Sequence, residues 1–222
     1  MNNNLISRWK DRLQGHPCFV VGNSPTLNHV DINSIKNFFS IGINRAFFKF
    51  DPTILFWQEK ELWMSEKNKL LSSKSIRVCH PKGDPLKRFH HFDIKGSGFK
   101  RAEKPSVLHG RGSSGPLAVQ FAHALGCAPI FLLGMDCKTD GINTDFFGVN
   151  KTWKPHTISL CQHGLDWILS EYGREEVINI SGSPQEVSTI ADKFRIQAKG
   201  LEFYKKLLLG QILLSQLSDD SK

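Results

Sequence analysis

The sequence predicts an α/β fold: a mostly parallel sheet with helices on both faces. Three observations predict it. Short continuous apolar runs, Pro17-Cys18-Phe19-Val20-Val21 and Pro129-Ile130-Phe131-Leu132-Leu133, stop abruptly at Gly22 and Gly134, as strands buried on both faces do. Segments with helical spacing separate these runs, the alternation that builds a parallel sheet covered on two sides. The chain of 222 residues, 40% hydrophobic and 23% charged, is long enough to bury a full core and ordinary in composition.

In chain order, Ser7 to Leu13 is helix-like and leads into the first strand at Pro17 to Val21. Asn28 to Phe39 is a short helix entered through Asp31, whose carboxylate suits a helix start. Ser40 to Ile43 is the second strand and Pro52 to Trp57 the third. Glu59 to Leu71, rich in Lys and Glu, is a helix, and Ser75 to Cys79 a fourth strand. From His80 to His109 the pattern dissolves into Gly, Pro and basic side chains, and so long an irregular stretch in a compact domain is functional or mobile. Gly112 to Leu125 restores a helix that Gly126 stops. Pro129 to Leu133 is the clearest strand, Ser159 to Tyr172 a helix, and Val177 to Ile180 the last strand. Ile190 to Leu217 is an amphipathic helical tail. The expected organisation is therefore a single α/β domain over residues 1–222, with an irregular basic segment at 80–110 and a helical tail at 190–217.

No stretch reaches the roughly 18 consecutive apolar residues of a membrane span, and the start lacks the apolar core of a signal peptide. A cytoplasmic protein is expected. The five cysteines, Cys18, Cys79, Cys127, Cys137 and Cys161, are odd in number and show no metal-site spacing, so they are expected to be reduced, buried and inert. The net charge of +8 points to an anionic partner, such as a nucleotide, nucleic acid or acidic glycan. Much of it lies in one segment, at Lys82, Lys87, Arg88, Lys95, Lys100, Arg101 and Lys104. His90-His91 in that segment reads as a solvated basic patch.

Ligands of parallel sheets bind beyond the carboxyl ends of the strands, which selects four loops. Gly22-Asn23-Ser24-Pro25-Thr26-Leu27 follows the first strand; Gly allows close backbone approach, and Asn23 and Ser24 offer amide and hydroxyl groups to a ribose or phosphate. It has neither the Walker pattern nor the dinucleotide fingerprint. Asn44 ends the second strand. Arg111-Gly112-Ser113-Ser114-Gly115 opens a helix, where backbone donors, two hydroxyls and a guanidinium suit an anion. Asp136 and Asp140 flank the loop after the clearest strand, where they could hold a divalent cation, bond a ribose or order the turn. His156, before a helix, is a candidate base, although nine histidines are present.

Together these loops resemble a family pattern. Gly22-Asn23-Ser24-Pro25-Thr26-Leu27 is similar to the first loop of the bacterial sialyltransferases of glycosyltransferase family 42, and equally to that of the 6-hydroxymethylpterin diphosphokinase-like domains. Ile43-Asn44-Arg45-Ala46-Phe47 resembles their second-strand Asn motif, Ser113-Ser114-Gly115 their Ser-Gly helix start, and Leu133-Gly134-Met135-Asp136 their Gly-Met-Asp strand end. The similarity runs over roughly residues 17 to 185, the scale of one domain. It implies a Rossmann-like transferase in which Asn23, Asn44, Ser113, Ser114 and Gly115 contact a cytidine nucleotide, with Gly22, Ser24, Arg111 and Asp136 beside them. An inverting, metal-independent glycosyltransferase with a CMP-linked sugar donor would follow, with His156 as base. The family's tyrosines at the leaving phosphate have no counterpart in these loops, since the two tyrosines are Tyr172 and Tyr204.

The diphosphokinase-like alternative would use ATP and Mg, with Asp136 and Asp140 as ligands. A third reading, from another class, is a non-catalytic nucleotide or nucleic-acid binder. The compact size and Asp140-Gly141 loop are also similar to small phage-encoded members of the superfamily. A glycan or DNA acceptor would suit the basic segment. The sequence leaves the oligomeric state open.

Overall fold

The computed structural model describes residues 4–110, 113–150 and 156–211. After a one-turn helix α1 (Asn4–Ser7), the elements are β1 (Cys18–Val21), β2 (Phe39–Ile43), β3 (Ile54–Trp57), α2 (Lys60–Ser72), β4 (Ile76–Cys79), β5 (His90–His91), β6 (Asp93–Lys95), β7 (Val107–His109), α3 (Ser114–Ala124), β8 (Ile130–Leu133), α4 (Thr157–Tyr172), β9 (Val177–Asn179), α5 (Pro184–Lys193) and α6 (Leu201–Leu208). Seven strands form one sheet in the order β5-β4-β3-β2-β1-β8-β9, and β6 and β7 form a separate pair. Every ladder is parallel. The α/β class expected from the apolar runs is the one found.

Alternation along each strand divides the core. Cys18 and Val20 of β1, with Ile41 of β2 and Leu132 of β8, face the layer of α3, α4 and α6. Phe19 and Val21, with Phe131 and Leu133, face the opposite layer, which holds the turns after β1 and helix α5. Further along, Leu55 and Trp57 of β3 pack under Leu62, Trp63 and Leu70 of α2. Helix α3 is buried almost along its whole length, which is why its sequence shows small and apolar residues all round rather than one stripe.

Three sequence expectations are corrected. The helix read over 28–39 is two 3-10 turns, Pro25–His29 and Ile32–Ile35, and Phe39 already belongs to β2. Asp31 does act as a cap, accepting from the Asn33 N–H at 3.1 Å, but it starts a new turn rather than a long helix. The tail is likewise broken: α5 ends at Lys193, a 3-10 turn spans Arg195–Gln197, and Gly200 at φ 81° precedes α6. A continuous helix cannot pass that left-handed residue, and the expectation beyond residue 211 lies outside the described residues.

The third correction concerns His90-His91, which form edge strand β5, with His91 only 8% exposed. Two residues of ladder pairing stabilise little by themselves. What holds β5 is its aromatic flanks. Phe92 stacks on Phe56 at 4.5 Å, and Phe89 meets Trp57 and Trp63 edge-on at 5.5 and 5.7 Å. Burying each such ring contributes about 1.5–3 kcal/mol, more than the net worth of the ladder bonds. Beneath them, the buried Asp84 carboxylate accepts from the Phe89 N–H at 2.8 Å and lies 2.9 Å from His91 Nε2. Among the described residues no helix is long and apolar enough to cross a membrane.

Candidate functional site

The sheet turns in two directions from β1: β2 to β5 lie on one side, β8 and β9 on the other. At that switch point a crevice opens at the carboxyl ends of the strands. The cleft found there has a volume of about 760 Å³, within the range of small-molecule sites.

Its walls come from four strand ends and two helix starts. Gly22, Asn23 and Ser24 follow β1, Ile43 to Arg45 follow β2, Gln58 and Glu59 follow β3, and Gly134 and Met135 follow β8. Ser113 to Pro116 supply the start of α3, and His156 to Leu160 the start of α4. The structure thus brings Gly22, Asn23, Ser24, Asn44, Ser113, Ser114, Gly115 and His156 to one cleft. Asp136 and Asp140 are not among its lining residues. The Asp136 carboxylate accepts from Thr26 Oγ1 at 3.3 Å, and Asp140 turns into its own loop, accepting from the N–H groups of Ile142 and Asn143. Arg111 and Gly112 lie outside the described residues.

The loops are fixed by one another. Asn23 Nδ2 donates to the Ile43 carbonyl at 3.0 Å, tying the first loop to the end of β2. Its Oδ1 is buried and has no hydrogen-bond partner among the described residues. Asn44 holds φ 51°, a left-handed conformation that Asn tolerates better than most residues. Gln58 Nε2 donates to Ser114 Oγ at 2.8 Å, both residues being buried. Ser113 caps α3 by position only, its side chain making no bond to the first-turn N–H groups, so these donors remain for a ligand. Pro116 sits in that turn, where its missing N–H costs nothing.

Gly22 also has a packing role. A Cβ there would strike the Gly134 carbonyl and come within 2.8 Å of Met135 Cγ. The missing side chain lets two loops of the sheet approach each other at the cleft.

Several lining residues escaped the sequence reading. The long loop after β8 folds back over the cleft: the Phe146 N–H donates to the Asn23 carbonyl at 2.8 Å, and Phe147 lies under the Arg45 guanidinium at 5.4 Å. Arg45 also bonds Glu66 at 3.2 Å and Ser65 at 2.8 Å, so its orientation is set from α2. The same loop delivers Asp145, which is 2% exposed and leaves Oδ2 without a partner. Burial pushes its carboxyl up to about 6, against the opposing pull of Asn150, Arg45 and Thr144. Cys137 and Cys161 line the cleft too and are only half-buried, unlike the inert, buried thiols expected. No motif marks these positions; they meet only through the path of a loop.

The raised pKa of Asp145 has a definite sign. A carboxyl whose folded pKa exceeds its unfolded value favours folding when protonated. That contribution is complete below the ordinary value of 3.8 and lost as pH rises through about 6. The shift is worth about 2–3 kcal/mol. Asp145→Asn, which keeps the shape and no charge, is expected to match the native protein below about pH 4 and to exceed its stability by about 2 kcal/mol above pH 6. Urea unfolding across that range measures it, and parallel curves for the two proteins would disprove the assignment.

Among the described residues one cluster offers three metal-ligating side chains, Cys79, Asp84 and His91, with ligand atoms within 4.8 Å of one another. It lies away from the cleft, beneath β5. One Asp84 oxygen is already shared by His91 and the Phe89 N–H, as in a structural hydrogen-bonded pair. The two tyrosines are also structural: Tyr172 and Tyr204 are 4% and 0% exposed in the core.

These features define an α/β protein with a loop-built cleft at the switch point of a parallel sheet. No protein-family model matches the sequence, and no curated protein matches it significantly. Two similar solved structures are of the sialyltransferase CstII from Campylobacter jejuni. One, in complex with the substrate analogue CMP-3FNeuAc, is 13% identical over 76% of this chain and 82% of that chain, with a TM-score of 0.45. The other, in complex with cytidine-5'-monophosphate, is 15% identical over 77% of this chain and 82% of that chain, with a TM-score of 0.46.

Proposed function

We propose that the cleft binds the nucleotide of an activated sugar and that the protein is an inverting glycosyltransferase acting on a hydroxyl acceptor. The observation that carries this reading is the convergence of Gly22 to Ser24, Asn44, Ser113 to Gly115 and His156 on one cleft. These are the residues that the sequence motifs single out, from segments far apart in the chain. Asn23, which lines the cleft, offers its side-chain amide to a hydroxyl or amino group of the nucleoside. The first-turn N–H groups of α3 face the phosphate, where a helix start stabilises negative charge.

The reaction then follows from charge. The anomeric C–O bond to phosphate breaks with its electron pair leaving on the nucleotide, while the acceptor oxygen bonds the anomeric carbon from the opposite face. His156, exposed at the start of α4, takes the acceptor's proton. Negative charge grows on the departing phosphate, and preorganised donors there supply much of the acceleration. No divalent cation is assigned a step, and the donor favoured by the motif resemblance is CMP-linked. The basic segment from Lys82 to Lys104 suits an anionic acceptor, a glycan or DNA.

A thermal-shift screen of CMP, UDP, GDP and ATP, with and without magnesium, tests the first half. A nucleotide at ten times its Kd is expected to stabilise the fold by about 1.4 kcal/mol, roughly 3–6 °C for a chain of this size. Asn23→Ala is expected to abolish the shift while leaving the unliganded melting temperature within about 3 °C. No shift with any nucleotide would overturn the reading.

A further inference from the structure

The cleft holds a pair of thiols that the transfer reaction does not use. Cys137 comes from the loop after β8 and Cys161 from the second turn of α4, and the two thiols lie near enough to shift each other's titration. Ser113 Oγ donates to Cys161 Sγ at 3.9 Å, and the Cys137 thiol also reaches the Met135 carbonyl at 3.6 Å. Both are half-buried and line the open cleft, whereas Cys18, Cys79 and Cys127 are buried.

We propose that Cys161 is a site of thiol modification by small disulfides of the glutathione type, with Cys137 as its resolving partner. Ser113 Oγ donates to the Cys161 sulfur, which favours its thiolate, whereas the Cys137 S–H is held by the Met135 carbonyl, an acceptor that favours the thiol. The neighbouring Cys137 and Ser113 draw the Cys161 thiol below its ordinary value, against burial and the nearby Asp145, and Cys161 and burial push Cys137 up. The roles are thereby asymmetric: Cys161 attacks first and Cys137 second.

The chemistry balances in two exchanges. Cys161 thiolate attacks one sulfur of the disulfide, forming a mixed disulfide and releasing one small thiol. Cys137, giving its proton to water, attacks Cys161 Sγ and releases the second small thiol. The protein loses two hydrogens and the reagent is reduced to two thiols. The resulting bond joins the loop after β8 to α4 across one wall of the cleft, beside Ser113.

The test is mass spectrometry of the native protein treated with oxidised glutathione and then digested without reduction. The expected product is an internal Cys137–Cys161 disulfide, with the intact mass lower by two hydrogens. Cys137→Ser is expected to stop at a glutathione adduct on Cys161. On the untreated protein, iodoacetamide is expected to label Cys161 at least about tenfold faster than the three buried cysteines, with a rate midpoint below the ordinary thiol value of about 8.5. Labelling of Cys18, Cys79 or Cys127 at the Cys161 rate, a midpoint at or above about 8.5, or only intermolecular disulfides would each overturn the proposal. None of these readouts involves a nucleotide, so the proposal fails or stands separately from the transferase reading.

Discussion

Asp84→Ala is expected to lower stability by about 3–5 kcal/mol, the range for breaking a buried pair from one side. The Asp84 side chain is fully buried, and one of its oxygens serves both the Phe89 N–H and His91. Truncation removes both contacts together, and neither the amide nor the 8%-exposed ring can turn freely to water. For a chain of this size that is a fall of roughly 10 °C in melting temperature. Asp84→Asn separates this from simple cavity formation. Its Oδ1 can take the place of the shared oxygen and keep both contacts, while its Nδ2 takes the buried place of the other oxygen, so a smaller loss of about 1–3 kcal/mol is expected. Equal losses for Ala and Asn in urea unfolding would show that charge, not hydrogen bonding, is what the site requires. The effect should concentrate at the β5 edge, where amide exchange in residues 89–92 is expected to accelerate before that in β1 or β8.

His156→Ala is expected to reduce turnover of a nucleotide sugar by about 10²–10⁴-fold, the usual contribution of a positioned base. The ring sits at the start of α4, on the cleft but exposed, so stability should change by less than about 0.5 kcal/mol. Nucleotide affinity, carried by Asn23 and the start of α3 in this reading, should stay within about twofold. The pattern to look for is a fall in kcat with KM for the donor little changed. A variant that keeps more than a third of native turnover would remove His156 from the base role. Asp145 would then be the first carboxyl to test, because it lines the same cleft.

Much of the architecture was legible from residue order because a parallel strand buried on both faces leaves a distinctive trace. β1 and β8 were read from Cys18 to Val21 and Ile130 to Leu133 within a residue, and α2 and α4 within two at either end. Gly22 and Gly134 marked where the strands stop. The errors fell where local signals compete. Asp31 and Pro25 both start turns, so residues 25–35 fold as two 3-10 pieces. His90 and His91 carried the composition of a solvated patch, yet Phe89, Phe92 and Asp84 draw them into the sheet. No periodicity survives in a two-residue strand, and its stability comes from rings contributed by β3 and α2.

For the cleft the division is similar. By itself the sequence determined which loops carry amide, hydroxyl and imidazole groups at element ends: Gly22 to Ser24, Asn44, Ser113 to Gly115 and His156. Those ends are set by local chemistry, by glycine, helix starts and the stop of an apolar run, and local chemistry is what a linear string records. Only the tertiary structure decided which of these groups meet. It placed Asp136 against Thr26 and turned Asp140 into its own loop. It folded the loop after β8 back over the cleft, bringing in Asp145 and Phe147, and it set Cys137 against Cys161 from different elements. Those outcomes depend on the strand order β2-β1-β8, which sets the crevice at the switch point of the sheet, and on the path of a loop that no short-range preference fixes.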